Sequence, residues 1–485
     1  MPLQPPIDAI DPAQIAAALG EAERLRASWQ LDAAEDAYRA LWSVAALRPR
    51  LLTELAITLA HQGRAGEALD AVAEAEALAP DDATIAQNRL ILEKLREPED
   101  PALFLALHNR YGDRFVPTRA ELFRQLPQRA PGPLRIAYLG VDAHTALARF
   151  VPMLATHHDR SRFHAAFFYG ASDEATIAAA RAQLPQVAHV SVRDIAPQRL
   201  ALALAQGGVD IAVDLIGHGH GSVLEALAYR PAPLQLTWLD YVATTGCAAI
   251  DGRICDRWTD PPEGASWCRE QAIRLDVPQW CALPPSRPVP RRQERGRQVL
   301  GIVNATNKAS PRLYALAARV LEALPRAQLR VIGVAGARAR QAALASMPPQ
   351  LHARVLLIDR VPEIEYHALV AGIDVALDPL VFSGATTTLD CLHGGLPVLT
   401  RPGVLPHTRS SLAILAHLGL DELIARDDDD LVARAVALLA DEPRRHALSE
   451  SLPRRVADSS LTDPARFLPN FEDALWRAFQ QRSHA

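Results

Sequence analysis

Val375-Ala-Leu-Asp-Pro-Leu-Val-Phe-Ser-Gly-Ala-Thr-Thr-Thr-Leu-Asp-Cys-Leu-His-Gly-Gly-Leu-Pro-Val-Leu-Thr400 decides the fold. Val375 to Leu377 reads as a buried parallel strand, Ser383 to Thr387 as a small-residue turn, Leu389 to His393 as a helix, and Pro397 to Thr400 as a second strand. The turn therefore lies at the carboxyl end of a strand, the edge at which open parallel sheets bind ligands. Gly384 lets backbone approach a ligand closely. Thr386 and Thr387 add hydroxyls to the free N–H groups of a helix start, a pattern suited to phosphate. Each hydrogen bond to a charged oxygen contributes roughly 1.5–3 kcal/mol. Asp390, one turn further in, is placed to accept from a sugar hydroxyl. An N-capped surface helix without a ligand fits the same residues.

Working outward, the same alternation recurs on both sides. Leu134 to Gly140, His164 to Gly170, Val187 to Val192, Asp210 to Gly217, Leu234 to Leu239 and Gln271 to Leu275 are short strand candidates with helical segments between them. After the Pro- and Arg-rich stretch Leu283 to Arg297 the pattern restarts, with strands expected at 298–303, 329–333, 355–358, 374–377 and 397–400. Strands alternating with helices imply parallel sheets covered on both faces. Two such α/β units in tandem would face each other across a cleft, the default ligand site. The fold expected is that of a GT-B glycosyltransferase, two Rossmann-like lobes.

Residues 12 to 97 differ, being Ala- and Leu-rich with helical periodicity. Ala68, Val72 and Ala75 stand 34 residues after Ala34, Tyr38 and Leu41, the period of a tetratricopeptide repeat. Two repeats cannot cover their own ends and are expected to dock on the next domain. The organisation expected is a repeat-like helical domain over 1–100, a helical linker over 101–133, an acceptor-side lobe over 134–285, and a nucleotide-sugar-binding lobe with C-terminal helices over 286–485.

Composition narrows the classes of function. The chain has 485 residues and a net charge of −5, with no block of basic residues, so nucleic acid is a poor partner. Five cysteines lack metal-site spacing, as suits reduced thiols in a cytoplasmic protein. The N-terminus shows no signal-peptide pattern, and no apolar run is long enough to span a membrane. The acidic run Asp427 to Asp430 reads as a loop or helix start. Only two lysines occur, Lys94 and Lys308.

Several motifs, taken in order, resemble the O-linked N-acetylglucosamine transferase and SPINDLY family. They are Arg230-Pro-Ala-Pro-Leu-Gln235, Trp238-Leu-Asp-Tyr241, Thr244-Thr-Gly246, Asn304 to Lys308, and Leu377-Asp378 with Gly384-Ala-Thr-Thr-Thr-Leu-Asp390. The resemblance covers roughly Leu134 to Phe479. It implies that Lys308 contacts the donor diphosphate, that Thr386 and Thr387 mark its helix start, and that Asp390 holds the ribose. Asn304 opens the strand-end segment, and Tyr366 or the adjacent His367 falls near the nucleotide base. On the acceptor side it implies His218, with His220 as the spare in its motif, and Thr244 and Thr245; His144 lies near a family histidine proposed to act at the acceptor. Each histidine is also readable as a satisfied loop residue.

The implied reaction is inverting transfer of a sugar, foremost N-acetylglucosamine from UDP-GlcNAc, to Ser or Thr hydroxyls of a protein recruited through the repeats. No metal is expected, because a lysine and a helix N-terminus carry the diphosphate. Ala305 stands where the family has glutamine, Ala385 where it has histidine, and Asp240 where it has glycine. Those departures keep open GDP-fucose or UDP-glucose as donor, a non-protein acceptor, or a catalytically weak scaffold that binds protein partners.

Overall fold

The computed structural model describes residues 12–119, 121–125, 132–142, 147–262, 267–284 and 298–483. His144 and most of the 126–133 and 285–297 connections lie outside the described residues.

Two parallel sheets carry the molecule. The first comprises β1 (Leu134–Leu139), β2 (Phe163–Tyr169), β3 (Ala188–Ser191), β4 (Ile211–Asp214), β5 (Leu234–Thr237), β6 (Gly252–Asp256) and β7 (Gln271–Leu275), in the order β3-β2-β1-β4-β5-β6-β7. The second comprises β8 (Val299–Ile302), β9 (Gln328–Ile332), β10 (Val355–Ile358), β11 (Val375–Leu377) and β12 (Val398–Leu399), in the order β10-β9-β8-β11-β12. Central strands such as β4, β5 and β8 are buried at every position, as strands with helices on both faces must be. In the second sheet the order reverses between β8 and β11, the topological switch point where a crevice opens at the strand ends. Asn304 to Lys308 follow β8, and Asp378 to Thr387 follow β11, so both motifs meet there.

The N-terminal segment folds into paired helices. Leu31–Ala40 and Ala65–Leu78 begin 34 residues apart, and Ala34, Tyr38, Ala68, Val72 and Ala75 are fully buried at the predicted packing positions. This segment docks on both lobes. On the second lobe, Asp32 accepts from the Ala337 N–H at the start of a helix (2.7 Å), and Glu99 accepts from the Val404 and Leu405 N–H groups (both 2.9 Å). Carboxylates at free N–H groups are favourable contacts. On the first lobe, Gln87 donates to the His218 carbonyl (2.7 Å), and His108 pairs with the Tyr241 hydroxyl (2.8 Å).

Asp427 caps the helix Asp428–Ala440 through the Asp430 N–H, which gives the acidic run its place. Among the described residues all five cysteines are free, and no helix is long and apolar enough to cross a membrane.

Candidate active site

Leu377 ends β11, and Asp378 turns the chain. Its buried carboxylate accepts from Ser383 Oγ (2.7 Å), the Gly384 N–H (2.8 Å) and Thr400 Oγ1 (2.8 Å), which folds Asp378 to Ala385 into a compact loop. Burial pushes this carboxyl upward, and those hydrogen bonds pull it back. Replacing Asp378 with Asn puts an N–H₂ where acceptors are needed. An expected loss of about 2 kcal/mol in chemical denaturation follows from one broken charged hydrogen bond. Gly384 fits because there is no room for anything larger. A Cβ there would lie 2.8 Å from both Asn304 Nδ2 and Thr388 Oγ1.

The helix Thr386–His393 then starts with no side chain capping it. Its first N–H groups therefore remain available to an anion. Thr386, Thr387, Ala385 and Ser383 line a cavity of about 110 Å³ together with Lys308, Phe382 and Asp240. Lys308 closes a short turn after β8, and its ammonium lies 3.8 Å from the centre of the Phe382 ring. Burial lowers its pKa, while the Asp378 and Asp240 carboxylates raise it. The helical segment supports this turn directly, since a Cβ at Gly63 would touch Thr306 Cγ2 at 3.3 Å.

Lys308, Thr386 and Thr387 thus share one cavity. Other expected residues fall elsewhere. Asp390 is held from the opposite lobe by Arg149, whose Nη1 donates to it at 2.6 Å. Burial raises the Asp390 carboxyl, and Arg149 offsets that. Tyr366 donates to the Val303 carbonyl (3.1 Å), and buried His367 lies 3.5 Å from Glu363, so neither ring lines the cavity. Asn304 is buried beside Gly384, and its amide nitrogen has no hydrogen-bond partner among the described residues.

The residues expected on the acceptor side lie as follows. His218 has no exposed surface, and its Nε2 donates to the Thr245 carbonyl at 2.7 Å. Burial depresses its pKa to about 4, leaving a weak base sealed under the helical segment. Thr244 and Thr245 are fully buried and bound to Glu270, at 2.7 Å and 2.6 Å. Those bonds hold their loop in place. His220 is the histidine that reaches solvent. It lines a cavity of about 250 Å³ with Gln87, Tyr111 and Glu225, between the helical segment and the first lobe.

Sequence reasoning missed the roles of Lys94, Asp378 and Arg149. Lys94 ends the helix Ala83–Glu93, and its ammonium sits 4.0 Å from the Tyr241 ring centre and 4.7 Å from that of Phe382. Both lysines of the chain therefore face the same aromatic ring. Their scarcity was the available signal.

Paired parallel-sheet lobes, a crevice at a switch point, and a lysine opposite an uncapped helix start define the GT-B class of sugar-transferring folds. The chain matches glycosyl transferase family 41 over residues 119–275 and 299–470, and it belongs to that family. It is 30% identical over 430 residues to the Petunia hybrida protein described as a probable UDP-N-acetylglucosamine–peptide N-acetylglucosaminyltransferase SPINDLY, covering 82% of this chain and 45% of that one. The tomato (Solanum lycopersicum) protein of the same description is 29% identical over 423 residues, with the same coverage. The chain thus spans less than half the length of these curated relatives. The solved O-GlcNAc transferase of Thermobaculum terrenum, a point mutant, superposes with a TM-score of 0.83 at 26% identity, covering 98% of this chain and 99% of that one.

Proposed function

We propose that this protein transfers a sugar, foremost N-acetylglucosamine from UDP-GlcNAc, to Ser or Thr hydroxyls of protein, with inversion and without a metal. The observation that carries the reading is the meeting of Lys308 with the Thr386–Thr387 helix start in one cavity at the switch point. Attack at the anomeric carbon drives negative charge onto the departing diphosphate. A half-buried ammonium and uncapped N–H groups are fixed where that charge gathers, and preorganised donors of this kind are usually the largest source of rate enhancement. The names borne by the SPINDLY relatives and the Thermobaculum enzyme support the donor and a protein acceptor. The helical segment, docked against both lobes, is placed to present that acceptor.

Ala305 and Ala385 remove polar side chains at the nucleotide, so donor identity is the part of this reading to test first. Thermal unfolding with UDP, UDP-GlcNAc, GDP and GDP-fucose discriminates. A ligand at 100 times its Kd stabilises by about 2.7 kcal/mol, and the uridine compounds are expected to give the shift. A response to guanosine compounds alone moves the reading to fucosyl transfer, and no response to any of them makes the chain a scaffold. Turnover is expected to persist in EDTA, with an N-acetylhexosamine mass added to acceptor peptides.

A further inference from the structure

Resting on the transfer reading above, we infer that Asp240 is the general base for the acceptor hydroxyl and that Lys94, supplied by the helical segment, is its positioning residue. Asp240 lines the same cavity as Lys308, Phe382, Thr386 and Thr387, and it is exposed to that cavity. Its Oδ2 reaches toward Gly219 on the loop that carries His218 and His220, 3.9 Å from where a Cβ would stand. A carboxylate on the first lobe and an ammonium on the second therefore line one cavity. His218, another candidate on this side, is buried and already bound to a carbonyl.

The step balances with these groups alone. The acceptor oxygen bonds to the anomeric carbon as the bond from that carbon to the diphosphate oxygen breaks. The hydroxyl proton passes to an Asp240 carboxylate oxygen, and the leaving electron pair settles on the diphosphate beside Lys308. Asp240 then returns its proton to water through the open side of the cavity.

Lys94 stands beside this carboxylate: its ammonium lies over the ring of Tyr241, the next residue in the chain, and near Phe382, which lines the same cavity. Among the described residues, the charged and titratable groups facing Asp240 are Lys94, Lys308 and Asp142. Protein crowding raises the carboxyl, the two ammoniums lower it, and Asp142 raises it. Lys94 is 7% exposed, with aromatic faces against its ammonium. Burial lowers its pKa to about 8, and Asp240 is the charge that opposes this. An isolated buried cation of this sort is costly, whereas one that compensates a catalytic carboxylate has a reason to be present. Asp240 stands where the family motif has glycine, so this chain carries its own acid–base device.

Asp240→Asn is expected to lower kcat by roughly 10²–10⁴-fold, with the donor KM and the nucleotide-induced thermal shift close to wild type. Lys94→Met is expected to move the acid limb of the pH–rate profile upward, because removing a cation raises the Asp240 pKa; Lys94→Arg is expected to restore the limb. Asp240→Asn turning over within threefold of an active wild type overturns the assignment while leaving the transfer reading intact. An unmoved acid limb in Lys94→Met overturns the part given to Lys94. A wild-type protein that neither binds nucleotide nor transfers sugar sinks both readings.

Discussion

Lys308→Met is expected to lower kcat by about 10²–10³-fold, the usual effect of removing one fixed donor from developing charge, without unfolding the protein. Methionine keeps the apolar stem against Phe382 and removes only the ammonium. The two effects should run in opposite directions. Burial holds the folded-state pKa of Lys308 below its unfolded value near 10.5. A base shifted this way costs stability wherever it is charged in the folded state, and the cost fades as pH rises toward the unfolded pKa. The variant is therefore expected to melt higher than wild type at pH 7, with the gap closing in alkali. Thermal unfolding across pH, beside initial rates with labelled donor, measures both. Unchanged turnover would remove Lys308 from the chemistry. A lower melting temperature at every pH would mean that the ammonium is satisfied in the free protein. The site would in that case be built for structure rather than poised for a diphosphate.

What the linear sequence disclosed follows from how each feature is encoded. Strands β1 to β5 and β7 to β12 are short apolar runs bounded by small or polar residues, a local signal. Strand β6 was missed because it reads Gly252-Arg-Ile-Cys-Asp256. Its charged Arg253 is buried only through an ion pair with Asp260 (2.9 Å), made seven residues away. Lys308, Thr386 and Thr387 were legible because strand ends and helix starts are local, and a parallel sheet brings them to one edge. The burial of His218 was not legible because it depends on the helix Pro101–Phe115, more than a hundred residues earlier in the chain. Tyr111 of that helix packs edge-on against its ring at 4.8 Å, a contact that no local pattern encodes. Asp390 looks like a free helix carboxylate until Arg149 reaches it from the other lobe. Lys94 likewise reads as an ordinary helix-end lysine until tertiary packing buries it between aromatic rings. Local rules therefore located the side of the crevice that carries Lys308, Thr386 and Thr387. The side that carries His218 is assembled by segments far apart in the chain, and there the local pattern says least about burial.

That assembly can be tested at a single hydrogen atom. The helix Pro101–Phe115 lies directly on the loop Thr244 to Cys247, with no side chain between them. A Cβ on Gly112 would stand 1.9 Å from the Gly246 carbonyl oxygen, and one on Gly246, at φ +69°, would stand 2.1 Å from the His108 carbonyl oxygen. Neither backbone can yield cheaply. Glu270 pins the loop through Thr244 and Thr245, and His108 is tied to the Tyr241 hydroxyl. Gly112→Ala must therefore lift the helix, breaking that histidine–tyrosine bond and straining the one from Gln87 to the His218 carbonyl. A loss of about 3 kcal/mol is expected, the upper end for overpacking, because backbone rather than a flexible side chain is struck. Since the helices Ala83–Glu93 and Pro101–Phe115 pack on each other, lifting one withdraws Lys94 from the crevice. Turnover should fall further than donor affinity, because Lys308 and the Thr386 helix start belong to the other lobe. A wild-type melting temperature for Gly112→Ala would show that the helix does not ride on this loop, and the acceptor side would then have to be built without it.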